Sequence, residues 1–219
     1  CFFHYIIYIF FICIYYMNID YVFKLIIVGD SLSGKSSLMN RACNNTFTNY
    51  YEATIGVDFL TKINRMHDGK HIKTHIWDTA GQKCFSNILK SYYKGTAGII
   101  YVFDKSNKIS FQNIKYWMNE VYSTINTNIS SILIATKTDK VSKVASEEAA
   151  KFASDNGMLY VETSAKNKIN TLEFECSNII FKCFSCKNDI WKFHDCINKE
   201  QDKVIEYLVD YSRRRKIIE

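Results

Sequence analysis

The sequence predicts a three-layer α/β sandwich in which helices cover both faces of a mostly parallel, six-stranded sheet. Strand-like and helix-like segments alternate through the middle of the chain, which favours parallel strands joined by right-handed crossovers. Continuous apolar runs such as residues 98–103 are typical of strands that are buried on both faces. The pair Asp68-Gly69 indicates a hairpin turn, so the strands on either side of it are expected to contribute one antiparallel edge strand.

The individual elements follow from the period of the apolar residues. The predicted strands are residues 22–28, 57–66, 70–77, 97–103, 131–136 and 158–163. The predicted helices, about five in number, are residues 35–43, 86–94, 109–125, 146–156 and 169–185. Ligands of such sheets bind beyond the carboxyl ends of the strands, so the loops at that edge are expected to hold the functional residues.

A length of 219 residues suggests one domain with tails, and we expect residues 17–185 to form the domain. Residues 186–219 are expected to form a tail with a short amphipathic helix and a basic run at residues 213–216. Residues 1–16 are almost wholly apolar and begin with Cys. A signal peptide and a membrane span stay open as interpretations, but the segment lacks a basic flank and is short for a span. We therefore favour a mature protein that starts at Met17.

Charge and cysteine content narrow the function classes. The net charge of +6 is spread along the chain and does not call for a nucleic-acid partner. We interpret the basic run as a solvated tail, with contact to a membrane surface or a receptor as the alternative. The eight cysteines show no repeated spacing, although Cys183 and Cys186 in a C-x-x-C arrangement leave a structural zinc site as an alternative.

The most informative segment reads Gly-Asp-Ser-Leu-Ser-Gly-Lys-Ser at residues 29–36, between a predicted strand and a predicted helix. This is a phosphate-binding loop of the G-x-x-x-x-G-K-[ST] type, in which glycines let backbone N–H groups turn toward phosphate oxygens. Lys35 can reach the outer phosphates and Ser36 can ligate Mg²⁺. An ordinary turn between a strand and a helix is the alternative. The predicted phosphate contacts are Asp30, Ser31, Leu32, Ser33, Gly34, Lys35, Ser36 and Ser37.

Two further segments fit phosphate chemistry. Asp78 ends the third predicted strand in the run Trp-Asp-Thr-Ala-Gly-Gln, where a carboxylate can support Mg²⁺. Gly81 allows a backbone N–H to approach a terminal phosphate, and the amide of Gln82 can orient a water molecule for in-line attack. Thr54 lies just before the second predicted strand, where its hydroxyl can ligate Mg²⁺ only when a terminal phosphate draws the loop inward. An Asp that begins a simple turn is the alternative for Asp78.

Two more segments have residues that can bind the base of a nucleotide. Residues 135–139 read Ala-Thr-Lys-Thr-Asp, and the Asp139 carboxylate can accept two parallel N–H bonds from the edge of guanine, which adenine does not offer. The apolar stem of Lys137 can cover the face of the base. Residues 162–166 read Glu-Thr-Ser-Ala-Lys, from which Ser164, Ala165 or Lys166 can supply a backbone N–H to the guanine carbonyl.

In their order, these segments resemble the Ras superfamily of small GTPases, and details such as Ile55 to Phe59, Ser91 to Gly95 and Ser110-Phe111 resemble its Rab branch. The match runs from about residue 20 to residue 183. The resemblance implies a GTP/GDP switch with Mg²⁺ that acts in vesicle traffic. It implies contacts with exchange factors, activating proteins and effectors at two switch regions, which we expect at residues 46–58 (the first switch) and 81–94 (the second switch). It also implies that Phe47 packs against the guanine ring, although Phe47 fits a core position equally well. The implied localisation is cytoplasmic, peripheral on endomembranes.

The chain departs from the family pattern at several positions. Thr136 stands where Asn is usual, and Leu32 and Ser33 replace a small residue and Val in the phosphate loop. Lys83 and Cys84 replace a Glu-Arg pair after the switch glutamine, which alters a partner surface. The last cysteine is Cys196, so the given chain carries no C-terminal prenylation motif.

The sequence therefore predicts a slow GTPase. Lys35 holds the phosphates, Ser36, Thr54 and Asp78 form the metal site, and Gln82 with Gly81 serves the attacking water. Arg41 and Arg65 lack a loop context that aims them at a phosphate, so an activating protein is expected to accelerate hydrolysis. Three alternatives stay open: a nucleotide-binding module with little hydrolysis, an adenine-nucleotide enzyme, and a protein that spans a membrane through residues 1–16.

Overall fold

The computed structural model describes residues 19–50, 52–65, 71–125 and 129–171. Within them lies the predicted six-stranded sheet: β1 (Tyr21–Val28), β2 (Val57–Arg65), β3 (His71–Thr79), β4 (Gly98–Asp104), β5 (Ser130–Thr136) and β6 (Leu159–Glu162). The spatial order is β2-β3-β1-β4-β5-β6. Among the strands of the described ranges, only β2 and β3 pair in an antiparallel manner, and the other pairs are parallel, as the sequence predicts.

The helices differ more from expectation. They are α1 (Lys35–Asn44), α2 (Ser86–Leu89), α3 (Lys108–Gln112), α4 (Ile114–Tyr122) and α5 (Ser146–Asp155), of which three are nine or ten residues long in the described part. The single helix predicted over residues 86–94 is wrong, because α2 is flanked by 3₁₀ turns at Lys83–Phe85 and Lys90–Tyr93. The helix predicted over residues 109–125 is divided at Asn113.

The predicted helix 169–185 does not begin at its first residues. Ile169 pairs with Ser164 in an isolated β-bridge, so the chain is extended there because a backbone partner is at hand. Residues 172–185 lie outside the described residues, as do the apolar leader, the Asp68-Gly69 turn, the C-x-x-C segment and the C-terminal tail. Among the described residues, no helix has the length and apolar character needed to cross a membrane.

Two apolar layers fill the space on either side of the sheet. Alternate residues of a buried strand point to opposite faces, so Ile26 and Val28 join one layer while Leu25 and Ile27 join the other. The first layer is completed mainly by α4 and α5, and Trp117 is its largest fully buried side chain. The second is completed by α1. Every residue of β4 is buried, which is why its sequence is a continuous apolar run rather than an alternating one.

Candidate nucleotide-binding site

A cleft of about 880 Å³ opens at the edge of the sheet where the parallel strands end. This volume lies within the usual range for ligand pockets. Most of the residues singled out from the sequence line it: Ser31, Leu32, Gly34, Lys35, Ser36, Ser37, Phe47, Thr54, Asp78, Gly81, Gln82, Thr136, Lys137, Asp139, Ala165 and Lys166. Asp30, Ser33 and Ser164 are not among the residues that line it, and each has a different position described below.

The phosphate loop takes a shape that only its two glycines permit. Gly29 has φ +151° and a Cβ there would lie 2.1 Å from the carbonyl oxygen of Val102. Gly34 has φ +92° and immediately precedes α1, so the N–H groups of the first turn of that helix face the cleft. Leu32 also has a positive φ, of 65°, which is unfavourable for a residue with a side chain. Its side chain is exposed at the rim of the cleft.

Lys35 is buried at the floor of the cleft, where its ammonium donates to the carbonyl oxygen of Asp30 at 2.8 Å. Burial is the main influence on this ammonium and lowers the pKa of Lys35 to about 8. The negative charges of Asp78 and Asp30 act in the opposite direction and raise the pKa by less. None of the ion pairs seen among the described residues involves this ammonium, and a buried ammonium in that state is favourably placed for an anionic ligand. The geometry therefore suits the predicted contact with outer phosphate groups.

Three oxygen-bearing side chains from different parts of the chain meet beside Lys35. The Ser36 hydroxyl donates to Asp78 Oδ2 at 2.5 Å, the Thr54 hydroxyl lies 3.2 Å from the same oxygen, and the two hydroxyls are 3.1 Å apart. Asp78 Oδ1 is buried and has no hydrogen-bond partner among the described residues. Burial raises the pKa of Asp78, while the hydrogen bond from Ser36 and the charge of Lys35 act to lower it.

A hard cation prefers such a set of carboxylate and hydroxyl oxygens, and it would satisfy the buried oxygen of Asp78. The residues present thus fit Mg²⁺, and their role as its ligands stays a prediction. Thr54 reaches this point from a segment with no helix or strand, in which Glu52, Ala53 and Ile55 are exposed. The Gly56 carbonyl at the end of this segment accepts a hydrogen bond from the N–H of Ala80 at 2.9 Å. The exposure of the other residues suits a loop that can open and close.

The second switch touches the phosphate loop through Gly81. Its carbonyl oxygen accepts a hydrogen bond from the N–H of Ser31 at 2.9 Å, and a Cβ at Gly81 would lie 2.2 Å from that nitrogen. Only glycine permits so close an approach. Gln82 follows at the wall of the cleft, where its Oε1 lies 3.7 Å from the thiol of the exposed Cys84.

The side chains of Asp30 and Ser33 do not face the cleft, so neither is placed to contact a ligand directly. The Asp30 carboxylate turns away from the cleft and accepts hydrogen bonds from Asn113 Nδ2 at 2.7 Å and Trp117 Nε1 at 2.8 Å. This side chain therefore anchors the phosphate loop to the start of α4. Ser33 is buried, and its hydroxyl has no partner in the described part of the chain. Neither side chain lines the cleft, and the backbone N–H of Ser33 donates to the carbonyl oxygen of Asp30 at 3.2 Å.

At the other end of the cleft, Asp139 presents its carboxylate next to Ala165 and Lys166. The hydroxyl of the fully buried Ser164 donates to Asp139 Oδ1 at 2.6 Å and so orients the carboxylate. The N–H of Ser164 is bonded to the carbonyl oxygen of Ile169, which excludes it as the donor to a base. Ala165 and Lys166 are left as the candidates for that role.

Lys137 and Thr136 connect this end to the phosphate loop. The Lys137 ammonium donates to the Leu32 carbonyl at 2.5 Å and to Asp104 Oδ2 at 2.7 Å. Lys137 also lines the cleft, so its apolar stem is available to cover a base, which stays a prediction. The Thr136 hydroxyl lies 2.5 Å from the carbonyl oxygen of Ser33 and 3.0 Å from that of Phe103. Its one proton is therefore used within the protein.

Phe47 lies at the cleft rather than in either apolar layer, and it is only partly buried. Its ring centre is 5.9 Å from the guanidinium carbon of Arg41. The position suits a ring that packs against a planar ligand. Arg41 itself is buried and donates to the carbonyl oxygens of Ala165 and Asn45, so its guanidinium is committed away from the phosphate loop.

Sequence reasoning missed several residues that shape the site. Arg41 holds the Ala165 loop, Lys105 joins segments behind the base end, and Asn113 with Trp117 anchors Asp30. Lys140 and Asn40 also line the cleft. Trp117 ends a segment, Ile114 to Trp117, that resembles the Rab branch, but its contact with Asp30 was not foreseen. No motif marks the other residues, since their roles depend on contacts between segments far apart in the sequence. Lys140 had one available signal, its position next to Asp139.

The fold and the cleft together define a nucleotide-binding protein of the phosphate-loop class. The family model described as "Ras family" matches residues 24–179. GTP-binding protein YPTM2 of Zea mays is 46% identical over 153 residues, which cover 69% of this chain and 75% of that protein. Ras-related protein RABD2b of Arabidopsis thaliana is 46% identical over 156 residues, 70% of this chain and 77% of the relative. Ras-related protein Rab-1D of Dictyostelium discoideum is 44% identical over 156 residues, 70% and 76% of the two chains.

The chain belongs to the Ras family, and its similarity to these relatives identifies it as a Rab-type small GTPase.

Proposed function

We propose that this protein is a Mg²⁺-dependent GTP/GDP switch whose cleft holds the phosphates at Lys35 and the guanine at Asp139. The observation that carries the proposal is the meeting of Ser36, Thr54 and Asp78 at one point. Thr54 comes from an irregular segment, so its presence at the candidate metal site links the conformation of that segment to the ligand in the cleft.

For hydrolysis, the chain supplies position and charge rather than covalent chemistry. The ammonium of Lys35 and the N–H groups of Gly34, Lys35 and Ser36, at the start of α1, neutralise the phosphate oxygens. Mg²⁺, when bound, would neutralise further charge. Gln82 orients the attacking water, and Gly81 keeps the second switch close to the phosphate loop through Ser31. Since Arg41 is committed to Ala165 and Asn45, we expect slow turnover that an activating protein accelerates.

A single-turnover assay tests the hydrolytic part. Purified protein loaded with GTP is mixed with Mg²⁺, and released phosphate is measured for the wild type and for Gln82→Leu. We expect release from the wild type to exceed that from the variant by about tenfold or more. Equal rates would favour the alternative function, a binding module with little hydrolysis, which is motivated by Leu32 at a positive φ and by Lys83 and Cys84 in the second switch.

Competition between nucleotides tests the base assignment. GDP and ADP are titrated against a fluorescent guanine nucleotide bound to the protein in the presence of Mg²⁺. We expect GDP to displace it at concentrations at least about a hundredfold below those of ADP, because adenine offers Asp139 no paired N–H donors. Equal affinity for the two nucleotides would support an adenine-nucleotide enzyme instead.

The cellular role that we propose is regulation of vesicle traffic on the cytosolic face of endomembranes. The similarity to Rab-type relatives supports this role. The exposed apolar surface around Ile55 and Phe59, at the end of the first switch, supports it too, because an effector that binds there would distinguish the GTP-bound from the GDP-bound conformation. Exchange factors and activating proteins are expected to bind the two switches. Fractionation of cells that express the full chain, followed by mass spectrometry of the membrane-bound protein, tests this role and identifies any attached lipid. A protein absent from every membrane fraction in both nucleotide states would contradict it.

A further inference from the structure

Lys105 follows the last residue of β4 and is largely buried, although no motif marks it. Its ammonium lies 2.5 Å from Glu162 Oε2 and 2.8 Å from Ser146 Oγ. Its backbone is equally committed, since the N–H donates to the Thr136 carbonyl at 3.0 Å and the carbonyl accepts from the N–H of Lys143 at 2.9 Å. One residue thus joins β5, α5 and β6 behind the cleft.

These partners lie at the base end of the cleft. Thr136 begins the segment that ends at Asp139, and Glu162 begins the segment that leads to Ser164. Ser164 in turn holds the Asp139 carboxylate through a hydrogen bond of 2.6 Å. The Lys105 ammonium is therefore linked to Asp139, the residue expected to bind guanine, through Glu162, the two following residues of the chain and the Ser164 hydroxyl.

Glu162 depends on this ammonium. Its side chain is about a quarter exposed, at 28%, and it also accepts from the Tyr160 hydroxyl at 2.8 Å. Burial alone would raise the pKa of Glu162, but hydrogen bonds from Lys105, Ser146 and Tyr160 outweigh it and lower the pKa. Without Lys105, a charged carboxylate in this position would lose its counter-charge, and movement toward solvent would relieve that cost. Such a movement would shift Thr163 and Ser164.

We propose that Lys105 is a positioning residue for base recognition: through Glu162 it fixes the Ser164 hydroxyl that orients Asp139, and it does so without touching the nucleotide. The proposal rests on the proposed function, since it assumes that Asp139 binds guanine. Its rival is that backbone bonds alone hold the two segments, for example the 2.7 Å bond from the Thr163 N–H to the Ala135 carbonyl. Under the rival, Lys105 contributes only to folding.

The test compares GDP with IDP, whose base lacks the amino group that Asp139 is expected to bind. Dissociation constants are measured for both nucleotides with Mg²⁺ present, for the wild type, Lys105→Met and Lys105→Arg. We expect the wild type to prefer GDP by about tenfold, as one hydrogen bond to a charged group predicts. The preference should fall to about twofold or threefold in Lys105→Met and be largely restored in Lys105→Arg, which keeps the charge.

A general loss of structure would weaken both nucleotides in proportion and leave the GDP/IDP ratio unchanged, so an unchanged ratio in Lys105→Met overturns the proposal. Lys108→Met is the matched control, because Lys108 is exposed and its replacement removes the same charge. We expect its ratio to equal that of the wild type. If Lys105→Met does not fold, Glu162→Gln replaces it and should reduce the ratio in the same way, whereas a ratio like that of the wild type overturns the proposal.

The proposed function and this inference fail in different ways. A wild-type protein that binds neither GDP nor IDP contradicts the proposed function. A wild-type protein that binds GDP with the expected preference, together with a Lys105→Met variant that keeps this preference, contradicts only the role of Lys105.

Discussion

The hydroxyl of Thr136 lies 2.5 Å from the carbonyl oxygen of Ser33 and joins the end of β5 to the phosphate loop. The contact spans 103 residues of sequence and is buried from solvent. A hydroxyl has one proton to donate, and here a backbone carbonyl takes it. Thr136 therefore holds the two ends of the cleft together, but it offers no free donor to the N7 atom of a purine.

The first prediction concerns that atom. We expect the wild-type protein to bind 7-deaza-GDP, which lacks the N7 acceptor, within about twofold of GDP, because no hydrogen bond is lost. In Thr136→Asn, whose amide has two N–H donors, GDP should bind about fivefold more tightly than 7-deaza-GDP. Competition titrations against a fluorescent GDP measure both ratios. A strong preference of the wild type for GDP over 7-deaza-GDP would show that a donor reaches N7 after all.

The second prediction concerns the metal. Removal of Mg²⁺ with EDTA should accelerate the release of GDP from the wild type, since the cation neutralises phosphate charge beside Lys35. In Asp78→Asn, the Mg²⁺ concentration that half-maximally slows release should rise by about 10- to 100-fold. Stopped-flow measurements of a fluorescent GDP over a range of free Mg²⁺ test this. Asp155→Asn, at an exposed carboxylate of α5 that does not line the cleft, is the control, and a shift as large as that of Asp78→Asn would contradict the assignment.

The third prediction concerns Ser33, whose buried hydroxyl lacks a partner among the described residues. Ser33→Ala should raise the free energy of unfolding by about 1 kcal/mol, because it removes a polar group that is desolvated without compensation. Urea unfolding of the GDP-bound protein measures the change. Ser31→Ala is the control at an exposed position of the same loop, and it should not stabilise the protein. A destabilised Ser33→Ala protein would mean that the hydroxyl has a partner in solution.

The fourth prediction concerns the pair formed by Asp104 and Lys137. Burial alone would raise the pKa of Asp104, but hydrogen bonds from Lys137 and Ser106 outweigh it and lower the pKa from its ordinary 3.8. The stability that this carboxylate contributes is therefore present above pH 3.8 and is lost as the pH falls through the lowered pKa of the folded protein.

Asp104→Asn should consequently destabilise the protein at pH 6 by about 0.5–1 kcal/mol after screening by solvent, and by less at pH 3. Urea unfolding at several pH values, at low salt and in 1 M NaCl, provides the measurement, and high salt should reduce the difference at pH 6. A difference that does not vary with pH would contradict the assignment of the effect to an ion pair.

Much of the fold could be predicted because it rests on local patterns. The strand bounds agree within about two residues, since apolar runs and the phosphate loop mark where each strand begins or ends. The turns around α2 and the division at Asn113 were missed. Around α2, 3₁₀ geometry competes with α-helical geometry over only a few residues. At Asn113, the side chain donates a hydrogen bond to Asp30, which lies 83 residues away in the sequence.

From the sequence by itself we could predict the phosphate loop, the candidate metal ligands and the segment around Asp139, because each lies in a short run whose chemistry follows from residue type and spacing. Only the tertiary structure decided what the side chains of Asp30, Ser33, Thr136 and Lys105 do, since their partners are distant in the chain. A motif records which groups are present near a ligand. Which of those groups are already satisfied by the protein depends on the packing of segments that the motif does not contain.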